Sequence, residues 1–339
     1  MGEEEEEEKK KKTVLVTGGS AGIGRALAEI LVKDYKCHVI ITSRNEDRGR
    51  KAVEEIGGRD IECVVMDTTD EESVVRAAEL LRKREVSLYA LVNNAGVGLQ
   101  NVIDMPLTDL QKTKRIVDTN FYGVIRVTDA FLDLIEKDNG RVVNVSSGLG
   151  GVWLRTRDDR TKTLFSGAGT NADDVLTLDA LKAAVEDAIA TADKENDLFG
   201  STGKLGYGLS KAAVTALTLL HSRAHGNLVF ASLTPGFVRT AMTAGRDAPL
   251  SPVEGCRSLQ RCLFDASIVS GAYYGADAKR SPLVVRRDAG FPEYQVRPEQ
   301  GFPSALVVIP DRIHHHADRR YQPAFTLFVC LSCHSSLLS

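Results

Sequence analysis

Residues 13–24 read TVLVTGGSAGIG: a short apolar, β-branched run that ends in glycines, with IGRALAEILVKDY continuing at helical apolar spacing. The run predicts a buried strand and the spacing predicts a helix, so the glycines stand at a strand-to-helix turn. Gly18, Gly22 and Gly24 are spaced G-x-x-x-G-x-G. Without Cβ atoms such a turn bends tightly and lets backbone approach a pyrophosphate, while the helix start supplies free N–H groups and a positive dipole end. Glycines also make plain turns, but the strand before and the helix after favour a dinucleotide site, with Ser20 and Ile23 of the same turn among its contacts.

The same alternation continues. CHVIITSR, IECVVMD, SLYALVNNAG, GRVVNVSS and NLVFASLTPG have strand character. Between them EDRGRKAVEEI, DEESVVRAAELLRKR, VDTNFYGVIRVTDAFLDLIEK and AAVTALTLL have helical spacing. Near-continuous apolar strands separated by helices predict a parallel sheet covered on both faces: an α/β, doubly wound (Rossmann) fold. Two regions break the rhythm. Residues 149–205 are too long for an ordinary connection and contain the helical pattern DALKAAVEDAIATA, so a structured helical insertion over the active face is expected. Residues 291–339 have no clear period. The expected organisation is a charged tail (1–12), one domain (13–290) carrying the insertion, and a C-terminal tail.

The bulk properties exclude several classes. The chain has 339 residues and a formal charge of −3, which gives no electrostatic footprint for nucleic acid or an anionic membrane. Its six cysteines are too few and scattered for a disulfide framework. No apolar stretch reaches the ~18 residues of a spanning helix. A soluble cytoplasmic protein is expected. The block GEEEEEEKKKK is like-charged in runs and is read as disordered. CLSCH (Cys330 to His334) formally matches a haem-attachment pattern, and His314 to His316 are adjacent, but both lie in the tail without visible core; no metal is expected.

Nucleotide preference is read after the second strand. An NAD site usually carries a carboxylate there; this chain has Thr42, Ser43 and Arg44, with Arg48 a turn further on. Guanidinium groups suit a 2′-phosphate, so NADP(H) is favoured. The plain alternative is that the arginines pair with Glu46 or Asp47. YGLSK, Tyr207 to Lys211, places a phenol and an ammonium one turn apart on one helical face.

TGGSAGIG, NNAG (Asn93 to Gly96), NVSS (Asn144 to Ser147), YGLSK and PGFVRT (Pro235 to Thr240) occur in the order found in short-chain dehydrogenases/reductases, and the sequence resembles that family over about residues 13–280. Within it the sequence looks most like the monomeric carbonyl reductases, which also carry a helical insertion between the serine and the tyrosine. The resemblance implies NADPH-dependent reduction of ketones, aldehydes or quinones, with a small-molecule carbonyl as partner. Tyr207 would be the acid, and Lys211 would bind the nicotinamide ribose. Free tyrosine titrates near ~10; an ammonium about 5 Å away at an effective dielectric of ~20 would favour phenolate by roughly two pK units. Ser147, rather than Ser146, would hold the carbonyl oxygen. Asn120 would hold a water beside the lysine. Asp67 and Thr68 would flank the adenine and Asn94 the ribose. Pro235, Gly236, Val238 and Thr240 would close over the nicotinamide. Gly148, Leu149 and Phe237 would line an apolar substrate mouth. A monomer is expected, because the insertion would cover the surface through which many members pair. The competing readings are a non-catalytic NADP(H)-binding regulator and a sugar-nucleotide epimerase.

Overall fold

The computed structural model describes residues 11–169, 175–194 and 205–282. The first ten residues, the segment 291–339 and with it both histidine-cysteine motifs lie outside the described residues.

Six strands carry the apolar runs: β1 (Thr13–Val16), β2 (His38–Ser43), β3 (Ile61–Val65), β4 (Ala90–Asn93), β5 (Arg141–Val145) and β6 (Val229–Leu233). They are joined by two short ones, β7 (Tyr273–Tyr274) and β8 (Arg280–Ser281), which the sequence did not announce. The order is β3-β2-β1-β4-β5-β6-β7-β8, parallel throughout except for the β7–β8 pair. Helices α1 (Gly22–Lys33), α2 (Glu46–Ile56), α3 (Glu71–Lys83), α4 (Asp109–Val117), α5 (Gly123–Phe131), α9 (Leu205–Ala224) and α10 (Arg257–Phe264) supply the crossovers and cover.

Successive strand residues point to opposite faces, and the core divides accordingly. Val14, Val16, Val39 and Ile41 pack with Leu27 and Leu31 of α1 and Leu259 of α10. Their neighbours Leu15 and Ile40 pack with Val74 and Leu81 of α3 and Phe131 of α5 on the other side. This two-sided burial is why the strands read as continuous apolar runs.

The insertion forms α6 (Gly148–Arg155), α7 (Asp159–Ser166) and α8 (Leu178–Lys194). Leu181, Val185 and Ile189 of α8 join Phe165, Phe121, Leu209 and Ala213 in a third apolar cluster. The Tyr122 hydroxyl donates to Glu186 Oε1 at 2.7 Å, tying α8 to the central helix. The described helices of the insertion thus lie alongside the central and YxxxK helices, and past Ser147 none of its described residues lines the crevice. Its apolar positions i, i+4 and i+8 on α8 make one buried stripe, and helices 4 and 9 offer the matching apolar surface.

Between α4 and α5 the helix widens for one π-helical turn, Asp118–Tyr122. Such turns break the regular ladder and are often found at functional sites. Here the turn carries Asn120.

Candidate active site

Where β2 and β4 leave β1 in opposite directions, the C-terminal strand ends open into a crevice of about 350 Å³. This is the switch point at which doubly wound sheets take ligands. One end is built from the β1–α1 turn. Gly18 adopts φ +64°, and a Cβ there would come within 3.0 Å of Ala95 Cα, so the turn can sit close against the β4 loop only with glycine. Gly22 and Ile23 face the crevice, and no side chain caps the start of α1, which leaves its first N–H groups for a ligand. Gly24 has a different duty. It does not line the crevice; a Cβ there would meet Asn94 Nδ2 at 2.4 Å and the Gly18 carbonyl at 2.7 Å. Asn94 in turn donates from Nδ2 to the Thr17 carbonyl at 2.8 Å, locking β4 to the turn.

Further along, Ser20, Thr42, Ser43, Arg44 and Arg48 form the wall. Asn45 caps α2 by accepting from the Arg48 N–H at 2.8 Å, which sets Arg48 at the helix start facing the crevice. Asp47 pairs with Arg50 at 2.8 Å, and neither Arg44 nor Arg48 has a carboxylate partner among the described residues. Asp67 and Thr68, just past the neighbouring strand β3, line the crevice too. Uncapped N–H groups, two unpaired guanidiniums and a carboxylate beyond them make a donor set that fits a phosphorylated adenine dinucleotide.

The other end holds the reactive side chains. Ser147, Tyr207 and Lys211 line it together, with Pro235, Gly236 and Thr240 closing one side. Both serines line the crevice, contrary to the expectation that strand alternation would admit only one, and they differ in their partners. Ser146 Oγ donates to the Lys211 carbonyl at 2.8 Å and lies 2.8 Å from Thr215 Oγ1, both within α9. Ser147 lines the crevice with Tyr207 and caps α6 by accepting from Leu149 N–H at 3.2 Å. Lys211 is 4% exposed and donates to the Val145 carbonyl at 2.7 Å. Its ammonium lies 5.7 Å from the centre of the Tyr207 ring. Asn120 is fully buried: Nδ2 donates to the Val97 carbonyl at 2.9 Å and Ser210 Oγ at 3.1 Å, while Oδ1 accepts from Val97 N–H at 2.8 Å. Gly96 is the meeting place, since a Cβ on it would lie 3.1 Å from Asn120 Oδ1 and 3.5 Å from Lys211 Nζ.

The electrostatic expectation is corrected here. Burial, the largest influence, pushes the Tyr207 phenol above its ordinary value, with the Ser147 hydrogen bond and the Arg246 charge opposing it. Burial also pulls Lys211 down to about 8. The ammonium therefore loses its proton before the phenol does, and is neutral when the phenol would ionise. At neutral pH the pair is a protonated phenol beside a cation, which is the state an acid needs.

Several predicted positions stay outside the crevice. Val238 is buried against Gly255, whose Cβ would meet its Cγ2 at 2.7 Å. Gly148, Leu149 and Phe237 do not line it, and Phe237 is 40% exposed. In their place the mouth is shaped by Val97, Asn101, Ala241 and Met242. Met242 abuts Gly98, where a Cβ would lie 3.1 Å from its Cγ. Neither loop has a periodic signal that would have announced it; the nearest clue is the position of Ala241 and Met242 directly after PGFVRT.

The sequence profile described as short chain dehydrogenase matches residues 12–156. The human carbonyl reductase [NADPH] 1 is 31% identical over 252 residues, spanning 72% of this chain and 87% of that protein. The chain belongs to the short-chain dehydrogenase/reductase family. It is accordingly an oxidoreductase. The mouse carbonyl reductase [NADPH] 3 is 31% identical over 239 residues, covering 67% of this chain and 82% of that one. Among solved structures, salutaridine reductase from Papaver somniferum superposes with a TM-score of 0.67 at 24% identity, over 78% of this chain and 99% of its own. The NADPH-bound carbonyl reductase from chicken fatty liver gives 0.55 at 21% identity, over 80% and 94%. These last two likenesses are of fold.

Proposed function

We propose that this short-chain dehydrogenase/reductase uses NADPH to reduce the carbonyl of a ketone, aldehyde or quinone to an alcohol. The observation that carries the proposal is the convergence of Ser147, Tyr207 and Lys211 at one end of a crevice whose other end offers Arg44 and Arg48 without carboxylate partners among the described residues. The names of the related carbonyl reductases support the same substrate and cofactor class.

The reduced nicotinamide, when bound, supplies the hydride that the carbonyl carbon accepts. Ser147 orients the carbonyl oxygen by hydrogen bonding beside the Tyr207 hydroxyl. Tyr207 then gives its proton to that oxygen as the C=O electron pair moves onto it, so hydride plus proton yield the alcohol. Its raised proton affinity keeps the phenol protonated until that moment. Lys211, cationic below about pH 8, stabilises the phenolate left behind. Asn120 ties the Val97 backbone to Ser210, the residue before the lysine. Arg44 and Arg48 select the 2′-phosphate.

The test is NADPH consumption with a panel of quinones, aldehydes and ketones, repeated with NADH. Turnover of at least one class with NADPH preferred by about tenfold or more is expected; no turnover across the panel, or equal use of NADH, overturns the assignment. The helices of the insertion cover the surface of α4 and α9, so we expect a monomer. A dimer or tetramer by light scattering contradicts that part.

A further inference from the structure

The loop after β3 carries Asp67 and Thr68 into the crevice wall, and two contacts dock it on the central helix. Gly123 lets it approach: a Cβ there would come within 3.1 Å of the Thr68 carbonyl oxygen and 3.3 Å of Thr68 Cβ. One helical turn later Arg126 donates from Nη1 to that same carbonyl at 3.0 Å. The other arm of its guanidinium, Nη2, bonds the Asp118 carboxylate. Asp118 opens the π-helical turn that holds Asn120, and Thr119 of that turn lines the crevice. The loop is braced internally as well, Asp67 Oδ1 accepting from the Thr69 N–H at 2.9 Å and the Thr69 hydroxyl at 2.8 Å, and Ser73 Oγ accepting from Asp67 N–H at 3.1 Å. Those bonds shape the loop without fixing it to the reactive end. The fork of Arg126 does, because one planar group spans both partners.

We propose that Arg126 is a positioning residue for the dinucleotide, clamping the wall that carries Asp67 and Thr68 to the turn that carries Asn120. The adenine half and the nicotinamide half of the site are thereby held at a fixed separation. This rests on the reading of the crevice as an NADPH site. Arg126 touches no substrate or cofactor; it acts through Thr68. Nothing in the glycine turn, the YxxxK pair or the PGFVRT segment requires it.

The experiment measures dissociation constants by fluorescence for NADPH, 2′,5′-ADP and reduced nicotinamide mononucleotide, which lacks the adenine half. Arg126→Met and Arg126→Lys are compared with the parent, and Gly123→Ala displaces Thr68 by a second route that leaves Arg126 in place. Arg126→Met is expected to weaken NADPH and 2′,5′-ADP about tenfold, the loss of one charge-assisted hydrogen bond. Arg126→Lys should recover part of this, Gly123→Ala should show the same pattern, and binding of the mononucleotide should stay within twofold. An unchanged NADPH constant in Arg126→Met, or an equal loss with the mononucleotide, overturns the proposal. Should Arg126→Met fail to fold, the Lys and Gly123→Ala proteins decide by the same criteria. A parent protein that binds none of the three would instead remove the NADPH reading itself.

Discussion

The floor of the crevice and its mouth were built under different constraints. On the floor, position follows from the backbone: buried parallel strands end in register, and Gly18, Asn94 and Ser147 are set by which strand they finish. At the mouth, position follows from loops whose side chains turn according to local packing, so that Phe237 points outward while Met242 turns in against Gly98. Function on the floor is written in spacing, and at the mouth in conformation. Substitutions put this difference to the test.

The largest effect belongs to Tyr207→Phe. Removing the hydroxyl deletes the proposed proton donor and leaves the ring and its packing, so kcat should fall about 10³-fold. NADPH binding should be unchanged, read by fluorescence titration. Normal turnover of a ketone by this variant would mean that the floor has been assigned the wrong acid.

Next comes Arg44→Ala. An exposed guanidinium without a carboxylate partner among the described residues has little to do for stability, and its charge-assisted bonds to a phosphate are worth about 1.5–3 kcal/mol. The KM for NADPH should rise about 10- to 100-fold and that for NADH change less than about threefold. Equal effects on both cofactors would place Arg44 away from the 2′-phosphate.

Lys211→Met probes what the floor costs. Burial draws the lysine from its ordinary 10.5 to about 8, so in the folded protein the ammonium is held against a penalty on the order of 3 kcal/mol. The sign follows from proton counts. Below about pH 8 both folded and unfolded chains carry the charge and the penalty is complete. Between about 8 and 10.5 the unfolded chain binds more protons, so parent stability gains from this group as pH rises. Methionine removes the penalty but strands the Val145 carbonyl, a fixed cost of about 1–3 kcal/mol. The thermal midpoint of Lys211→Met relative to the parent should therefore be highest near pH 7 and decline towards pH 10. A difference independent of pH would show that the ammonium is solvated in the folded chain.

How much the sequence disclosed divides along the same line. The order of strands and helices, the glycine turn and the YxxxK pair were legible, because two-sided burial makes strands continuously apolar and the i, i+4 spacing fixes a shared helical face. The raised proton affinity of Tyr207 was not, because spacing gives proximity and says nothing of burial, which is its largest cause. The π-helical turn was illegible too; DTNFYG reads as ordinary helix, and the partners of Asn120 in that turn, Val97 and Ser210, lie on two other segments. Arg126 carries no signal in the sequence, since its partner Thr68 lies on a different loop. The insertion was recognised by its length, but the docking of its described helices against α9 depended on which apolar stripe found a partner.

The smallest effect is expected at Phe237, and it is the sharpest test of the division. Its neighbours in the chain are tightly held: Gly236 adopts φ +87°, and the Phe237 carbonyl accepts from Leu250 N–H at 3.2 Å. The ring itself is 40% exposed and does not line the crevice. Alanine keeps the backbone contacts and removes only a solvated ring, so Phe237→Ala should change stability by less than about 0.5 kcal/mol. By the same reasoning kcat/KM for a small ketone should stay within about twofold, whereas a bulky quinone that reaches the rim would lose more. A tenfold loss with the small ketone would require the ring to swing inward when substrate binds. The mouth would then be assembled by the ligand, and its contacts would be as unreadable in the free structure as they are in the sequence.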